Sequence, residues 1–255
     1  MAKGNPLVSD GYHLKKINQI KECLPVKKIV IAILALCLAL SCCAVAEETQ
    51  IAACKVGDYL TFGSYPQGAN EETAPIEWLV LAVEDGKALV VSHYALDCRP
   101  YHTSKEEALW ESSSLRQWLN DTFLNEAFTS GEQSAILTVD VDNSPEQGYY
   151  GTQGGTDTQD QVFLLSYGEA MNYFGGAEAF RCAPTEYTQV KGAMTISSYQ
   201  TEGMAACYWW LRSPGKAEAT VCYIGSSGKC DYSEPDFNRG AIRPACWLDL
   251  SADIF

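Results

Sequence analysis

The chain has 255 residues, 47% hydrophobic, 20% charged and 11% aromatic. It is long enough for a sizeable core and too apolar for a disordered chain or a coiled coil. Eighteen basic residues face 32 acidic ones, a net charge of -14; a surface of that sign repels phosphate backbones and anionic lipid, so nucleic acid is excluded as the expected partner.

The charge is uneven along the chain. Residues 1–46 carry six basic and two acidic side chains, leaving 12 and 30 for the remainder. Lys27-Lys28 precedes the apolar run IVIAILALCLAL, Ile29 to Leu40, and small residues lead on to Ala44-Val45-Ala46. A basic flank, a short apolar core and an A-x-A site predict a secretory signal peptide cut after Ala46. The rival reading is a retained membrane anchor. Ile29 to Ala46 gives 18 residues, at the lower edge of a bilayer span, but Ser41, Cys42 and Cys43 weaken its last third. Leu38 to Cys42 matches a lipobox only loosely. The expected location is therefore secreted or cell-surface, with membrane contact through the N-terminal segment alone if it is kept. Residues 47–54 read as a linker and 55–255 as one domain.

Strand signals open that domain. Val56 to Tyr65 contains Tyr59, Thr61 and Phe62 and turns at Pro66-Gln67-Gly68. Ile76 to Val83 meets Lys87 to Ser92 across Glu84-Asp85-Gly86, a hairpin signal. A helix follows, because Leu115, Trp118, Leu119 and Phe123 form one apolar stripe. Ser114 is its expected N-cap, with Gln117 completing a capping box. Ser130 to Ile136 adds a helical turn. Asp142 to Gln161, rich in Gly and polar groups, is a long exposed loop of the functional kind. Ser166-Tyr167-Gly168-Glu169 is a second capping box, and Gly175-Gly176 stops its helix. Strands return at Tyr208 to Arg212, Ala219 to Ile224 and Ala241 to Leu248. Antiparallel strands with two or three short helices make an α+β domain.

Seven of the 11 cysteines follow Ala46, and none forms a CxxC pair, so a zinc ribbon or a thioredoxin-like motif is excluded. Cys222 and Cys230 flank Gly225–Gly228, a hairpin turn across which they can face each other. His93 and His102 fit no metal-ligand spacing. Asp157 and Asp160, in the Gly-rich loop, are the calcium candidates, against the commoner solvated acidic loop; no other cofactor is suggested. GxSxG is absent, and no cysteine has a recognisable catalytic neighbourhood.

Binding chemistry is better represented. Trp78 and Trp118 belong to the core, whereas alternation puts Trp209 and Trp210 on opposite faces of a strand, leaving at most one deeply buried if the other face is open. Arg212 and Arg243 lie in apolar strand contexts where an unpaired charge is costly, so a carboxylate partner is expected for each, with ligand recognition as the alternative.

Several phrases together resemble a known family. Phe62-Gly63-Ser64-Tyr65-Pro66-Gln67, Ile76 to Leu81, Ser113 to Asn120, Asp160 to Ser166, Trp209 to Gly215 and Ile242-Arg243-Pro244-Ala245 occur in the order found in a bacterial family of unknown function, number 6273 in the domain-of-unknown-function series. The resemblance covers about residues 55–250 and implies no activity. A fainter likeness links the aromatic strand ending in Arg-Ser, the glycine-bearing hairpin and the closing strand to C-type-lectin-like domains, as in the sulfatase-modifying group. The copper-binding cysteine pair of that group is not recognisable. The resulting expectation is an exported, non-catalytic domain of C-type-lectin-like α+β architecture for an extracellular glycan, peptide or protein. Its surface joins the Asp142–Gln161 loop to the end of the Trp209–Pro214 strand, using Trp209, Trp210, Arg212, Arg243, Asp157 and Asp160. The alternatives are a carbohydrate- or cell-wall-directed hydrolase with an unrecognised carboxylate pair, and a structural surface module. Titratable groups converging in a pocket far from that loop would speak for an enzyme.

Overall fold

The computed structural model describes residues 54–105, 109–217 and 219–252, so the readings placed on residues 1–46 lie outside the described part. The fold is α+β. Three antiparallel strands begin it: β1 (Tyr59–Pro66), β2 (Thr73–Glu84) and β3 (Lys87–Ser92). Asp85 and Gly86 take left-handed φ values of 47° and 75°, the backbone that a two-residue hairpin requires. Short strands follow: β4 (Asp97–Cys98), β5 (Ile136–Leu137), β6 (Val139–Val141), β7 (Thr158–Asp160) and β8 (Val162–Phe163). The last third contains β9 (Thr195–Thr201), β10 (Met204–Cys207), β11 (Trp209–Pro214), β12 (Val221–Ile224), β13 (Cys230–Ser233), β14 (Ala241–Ile242) and β15 (Ala245–Asp249).

These strands form two larger sheets. The first has the order β1-β2-β3-β15-β5, with β8 also on β15, and the second β13-β12-β11-β14-β4. The chain crosses from the second to the first at Arg243-Pro244, between β14 and β15. Pro244 cannot donate to a ladder, which suits the break.

The central helix runs from Ser114–Trp118 through a π turn at Leu119–Phe123 into Leu124–Ala127, and it buries Leu115, Leu119 and Phe123. Its cap is Ser113, not Ser114: the Ser113 Oγ accepts from Arg116 N at 3.1 Å, one residue earlier than the stripe suggests. The Ser130–Ala135 helix starts with a Thr129/Glu132 capping box that the sequence reading passed over. The expected Ser166/Glu169 box is present before Tyr167–Phe174, which ends at Gly175 with φ 71°. Two further helices, Ala177–Phe180 and Glu186–Val190, exceed the two or three expected. At four and five residues they are too short to show a helical period.

One of them explains a correction. Both Trp209 and Trp210 are fully buried, at 0% exposure, because both faces of β11 are covered. The Trp209 Nε1 donates to Phe180 O at 3.0 Å, at the end of the Ala177–Phe180 helix, and the Trp210 Nε1 donates to Arg99 O at 3.0 Å. Gly228, in the β12–β13 turn, has φ 82°, and a Cβ there would lie 1.6 Å from the Ala177 carbonyl oxygen. Gly228→Ala is therefore expected to lower unfolding free energy by about 1–3 kcal/mol through overpacking, measured by urea denaturation. Among the described residues no helix is long and apolar enough to cross a membrane.

Candidate functional site

The surface expected from the sequence is closed by its own hydrogen bonds. Arg212 is buried, and its guanidinium makes a bidentate pair with Glu169: Nη2 donates to Oε1 at 2.8 Å and Nη1 to Oε2. Nη1 and Nη2 also reach the carbonyls of Leu164 and Asp142, at 2.8 and 2.9 Å. The carboxylate partner expected for Arg212 is thus present, and both Nη groups are spent on the fold, while its Nε is buried without a hydrogen-bond partner. Asp160 is also buried; it accepts from Trp110 Nε1 at 2.9 Å, Arg116 Nε at 2.7 Å and Thr158 Oγ1 at 2.7 Å. Asp157 accepts from Asn143 N at 2.8 Å. Among the described residues no group of three or more His, Cys, Asp or Glu is placed to hold a metal ion.

The loop itself is tied down. Ser213 Oγ donates to Gln147 O at 2.9 Å and Thr152 Oγ1 to Gly215 O at 2.8 Å. The hollow between loop and strand measures about 10 Å³, room for roughly one water.

A cavity of about 210 Å³ lies elsewhere, bordered by Tyr59, His93, Tyr94, Arg181, Cys182, Glu202 and Arg243 among others. Arg243 sits at the crossing between the sheets. Its Nε donates to Ser92 O at 2.9 Å, and the guanidinium lies 4.9 Å from the Phe174 ring centroid and 5.2 Å from that of Trp209. The residue is 3% exposed, its Nη1 is buried without a hydrogen-bond partner, and among the described residues no carboxylate forms an ion pair with it. That corrects the expected Arg243–carboxylate pair. Stacking on two rings offsets part of the charge burial, but the vacant nitrogen remains a cost. Arg181 repeats the pattern more weakly: its Nε is buried without a partner, and its Nη1 lies 3.8 Å from Glu178 Oε1.

Opposite charge is supplied by the β9–β10 hairpin. Glu202, at its tip, has φ 53°, a left-handed conformation that costs a non-glycine residue about 1 kcal/mol or more. Its Oε2 lies 3.0 Å from His93 Nε2 and accepts from the Tyr94 hydroxyl at 3.1 Å. Glu77 Oε2 is 3.8 Å from the same His93 nitrogen. The His93 ring stands edge-on to Tyr59 and Tyr94, at 4.8 and 4.4 Å between centroids. Burial, followed by the two glutamates, pushes the Tyr59 phenol up, and burial and the Glu202 hydrogen bond push up that of Tyr94. Both phenols are held in the protonated, hydrogen-bonding form.

Cys182 borders the same space, and its thiol lies against that of Cys207. Burial works to raise the Cys182 thiol, but the Cys207 hydrogen bond and the Arg243 charge outweigh it and lower the value. On the β12–β13 hairpin, Cys222 pairs with Tyr232 and Ile224 with Cys230. The two cysteines named from the sequence are thus diagonal neighbours on one face, and the Cys222 thiol hydrogen-bonds that of Cys230 and pushes it up.

Of the six residues named from the sequence, the structure brings only Arg243 to this cavity, with Trp209 stacked on its guanidinium. His93, Glu202, Arg181, Cys182 and the two tyrosines were missed. They come from segments more than 140 residues apart at the extremes, and no spacing rule connects them. The one legible hint was Glu202-Gly203, a turn dipeptide between β-rich runs.

No curated protein and no solved structure matches the chain. The model of the family described as Domain of unknown function (DUF6273) matches residues 85–250, which takes in the Trp209–Gly215 and Ile242–Ala245 phrases and leaves the two earliest ones ahead of it. With well over half its length inside that match, the chain belongs to this family of unknown function, DUF6273.

Proposed function

We propose that this is a ligand-binding domain whose site is the cavity around Arg243 and His93, and that its ligands are small carboxylates: an acidic sugar unit or the free carboxy terminus of a peptide. The observation that carries the reading is the buried Arg243 guanidinium, which borders a cavity and has a nitrogen without a partner. A carboxylate is planar and two-pronged, the shape that a guanidinium recognises. Arg181 adds a second cation, while Tyr59 and Tyr94 supply flat apolar faces with polar edges of the kind that pack on sugar rings and peptide side chains. Glu202 and Glu178 accept from hydroxyl or ammonium groups on the rest of the ligand. Export to the bacterial cell surface is part of the proposal, supported by the basic, apolar and A-x-A segments before Glu47. So is the C-type-lectin-like architecture, supported by β11, which closes with Arg212-Ser213-Pro214 beside the β12–β13 hairpin, and by the closing β14–β15 strands.

Calorimetric titration of the full-length chain tests it, with glucuronate in one arm and a short peptide, free or amidated at its carboxy terminus, in the other. Binding is expected in one arm and to require the carboxylate. Arg181→Gln should weaken it by roughly tenfold, about 1.4 kcal/mol, and Arg243→Lys more, since a point charge replaces the fork. Absence of binding in both arms, or equal affinity in folded Arg181→Gln, would overturn the reading.

Titratable groups converge in this cavity, which no residue of the Asp142–Gln161 loop borders. That is the condition that speaks for an enzyme, and it favours a second reading. Glu77 Oε2 and Glu202 Oε2 lie 3.8 and 3.0 Å from the same His93 nitrogen, so two carboxylates share one site, the residue pair that glycoside hydrolysis uses. A hydrolase acting on carbohydrate or cell-wall material would show turnover abolished by Glu202→Gln; binding without turnover sets it aside.

A further inference from the structure

Two of the seven described cysteines meet at the cavity, and this juxtaposition stands whether or not a carboxylate binds there. Cys207 N donates to Cys182 O at 2.8 Å. A hydrogen bond of that length, added to the adjoining backbone bonds, keeps the two Cα atoms within about 7 Å even if all were collinear, and real bond angles bring them into the disulfide range of about 4.4–6.8 Å. The side chains complete the approach, since the Cys207 thiol hydrogen-bonds Cys182. Cys182 borders the 210 Å³ cavity, whereas Cys207 is absent from its lining. Cys182 is therefore the cavity-side member of the pair, 1% exposed with its thiol against the His93 and Ala183 carbonyls at 3.6 and 3.5 Å, and Cys207 stands behind it.

We infer that Cys182 and Cys207 are a redox pair that exchanges with small disulfides through the cavity, Cys182 as the attacking thiol and Cys207 as the resolving one.

The electrostatics agree with the assignment of roles. Arg243 acts on both sulfurs, and the thiolate is the nucleophile. Burial raises Cys207, and its hydrogen bond to Cys182 and the charge there add to the rise, a contribution that ends once Cys182 is held in a mixed disulfide. The remaining sulfurs lack this setting. Burial alone raises Cys246, burial and then Asp97 raise Cys98 to about 11, and Cys230 is raised by its Cys222 neighbour. In the exchange, the Cys182 thiolate attacks one sulfur of R–S–S–R, forming Cys182–S–S–R and releasing R–S⁻, which takes a proton. Cys207 then loses its proton and attacks the Cys182 sulfur, expelling the second R–S⁻. Two protein thiols are oxidised to one disulfide, and one small disulfide is reduced to two thiols.

The test uses the full-length chain, fully reduced and then incubated with oxidised glutathione as the probe. Free thiols are next alkylated and the peptides mapped by mass. The expected product is a peptide pair joined through Cys182 and Cys207 that has lost two hydrogens. In Cys207→Ser, Cys182 should stop as the mixed disulfide with glutathione, which keeps the roles testable if Cys182→Ser folds poorly. Alkylation of Cys182 in the native reduced chain should run roughly tenfold or more faster than that of Cys246. Recovery of Cys182 and Cys207 both as free thiols, or an unmodified Cys182 in Cys207→Ser, would overturn the inference. Reaction confined to Cys222 and Cys230 would do the same.

Discussion

Glu169→Ala is expected to lower the unfolding free energy by about 3–5 kcal/mol, the largest loss of any single substitution considered. Glu169 is the third residue of its helix, where its Oε2 accepts from Ser166 N at 2.8 Å and closes a capping box. The same carboxylate is the bidentate partner of Arg212, whose side chain is 1% exposed. Removing it strands a guanidinium that cannot reach water, and the Leu164 and Asp142 carbonyls neutralise none of its charge. The cap contributes about 1 kcal/mol of the total. Glu169→Gln should fall between parent and alanine, because it keeps the shape and one acceptor oxygen but not the charge. The Glu169→Ala/Arg212→Met double variant should recover much of the loss, since two apolar side chains often replace a buried pair without penalty. Denaturant midpoints measure all three. A Glu169→Ala protein within about 0.5 kcal/mol of the parent would contradict the geometry.

Asp97→Ala is expected to cost about 3 kcal/mol, at the lower end for a broken buried pair. Its carboxylate, fully buried, gathers Tyr65 Oη at 2.8 Å, Arg99 Nε at 3.1 Å, Lys191 Nζ at 2.8 Å and the Cys98 amide at 2.6 Å. The cost stays at the lower end because the Arg99 and Lys191 side chains are 37% and 28% exposed and can turn to water. Tyr65→Phe removes one hydrogen bond from the same cluster and should cost only about 1 kcal/mol. Burial works to lower the Lys191 ammonium, but Asp97 overrides it and raises the value. A raised lysine contributes stability that is complete below its unfolded value, about 10.4, and is lost as pH rises through the folded one. The stability gap between parent and Asp97→Ala should therefore narrow at strongly alkaline pH by the Lys191 share alone, the Arg99, Tyr65 and Cys98 bonds remaining, which urea melts as a function of pH will show.

Legibility in the sequence followed the range of the interactions involved. Elements set by near neighbours were read directly: the Asp85-Gly86 hairpin, the Ser166/Glu169 box and the glycine stop at Gly175. Arg212 was read as needing a carboxylate because apolar flanks make an unpaired charge costly, and Glu169 meets that need. Whether a strand has one covered face or two is not a local property, so Trp209 and Trp210 were named as ligand-binding rings with at most one deeply buried, when both are core. The cavity was invisible for a related reason. Its walls come from the start of β1, the end of β3, the helices around Phe174 and Arg181, the β9–β10 tip and the β14–β15 crossing. No window of sequence contains two of these segments together.

The placement of β15 bears on how the molecule is made. Ala245–Asp249 inserts between β3 and the short strands β5 and β8, so the earliest sheet stays split until the ribosome has passed Asp249. The Val90–Cys246 and Leu89–Trp247 pairings close loops of more than 150 residues, which makes late assembly and slow, millisecond-to-second folding the expected regime. Before then, β3 presents an unpaired apolar edge, the state in which a nascent chain is most open to a chaperone or to another copy of itself.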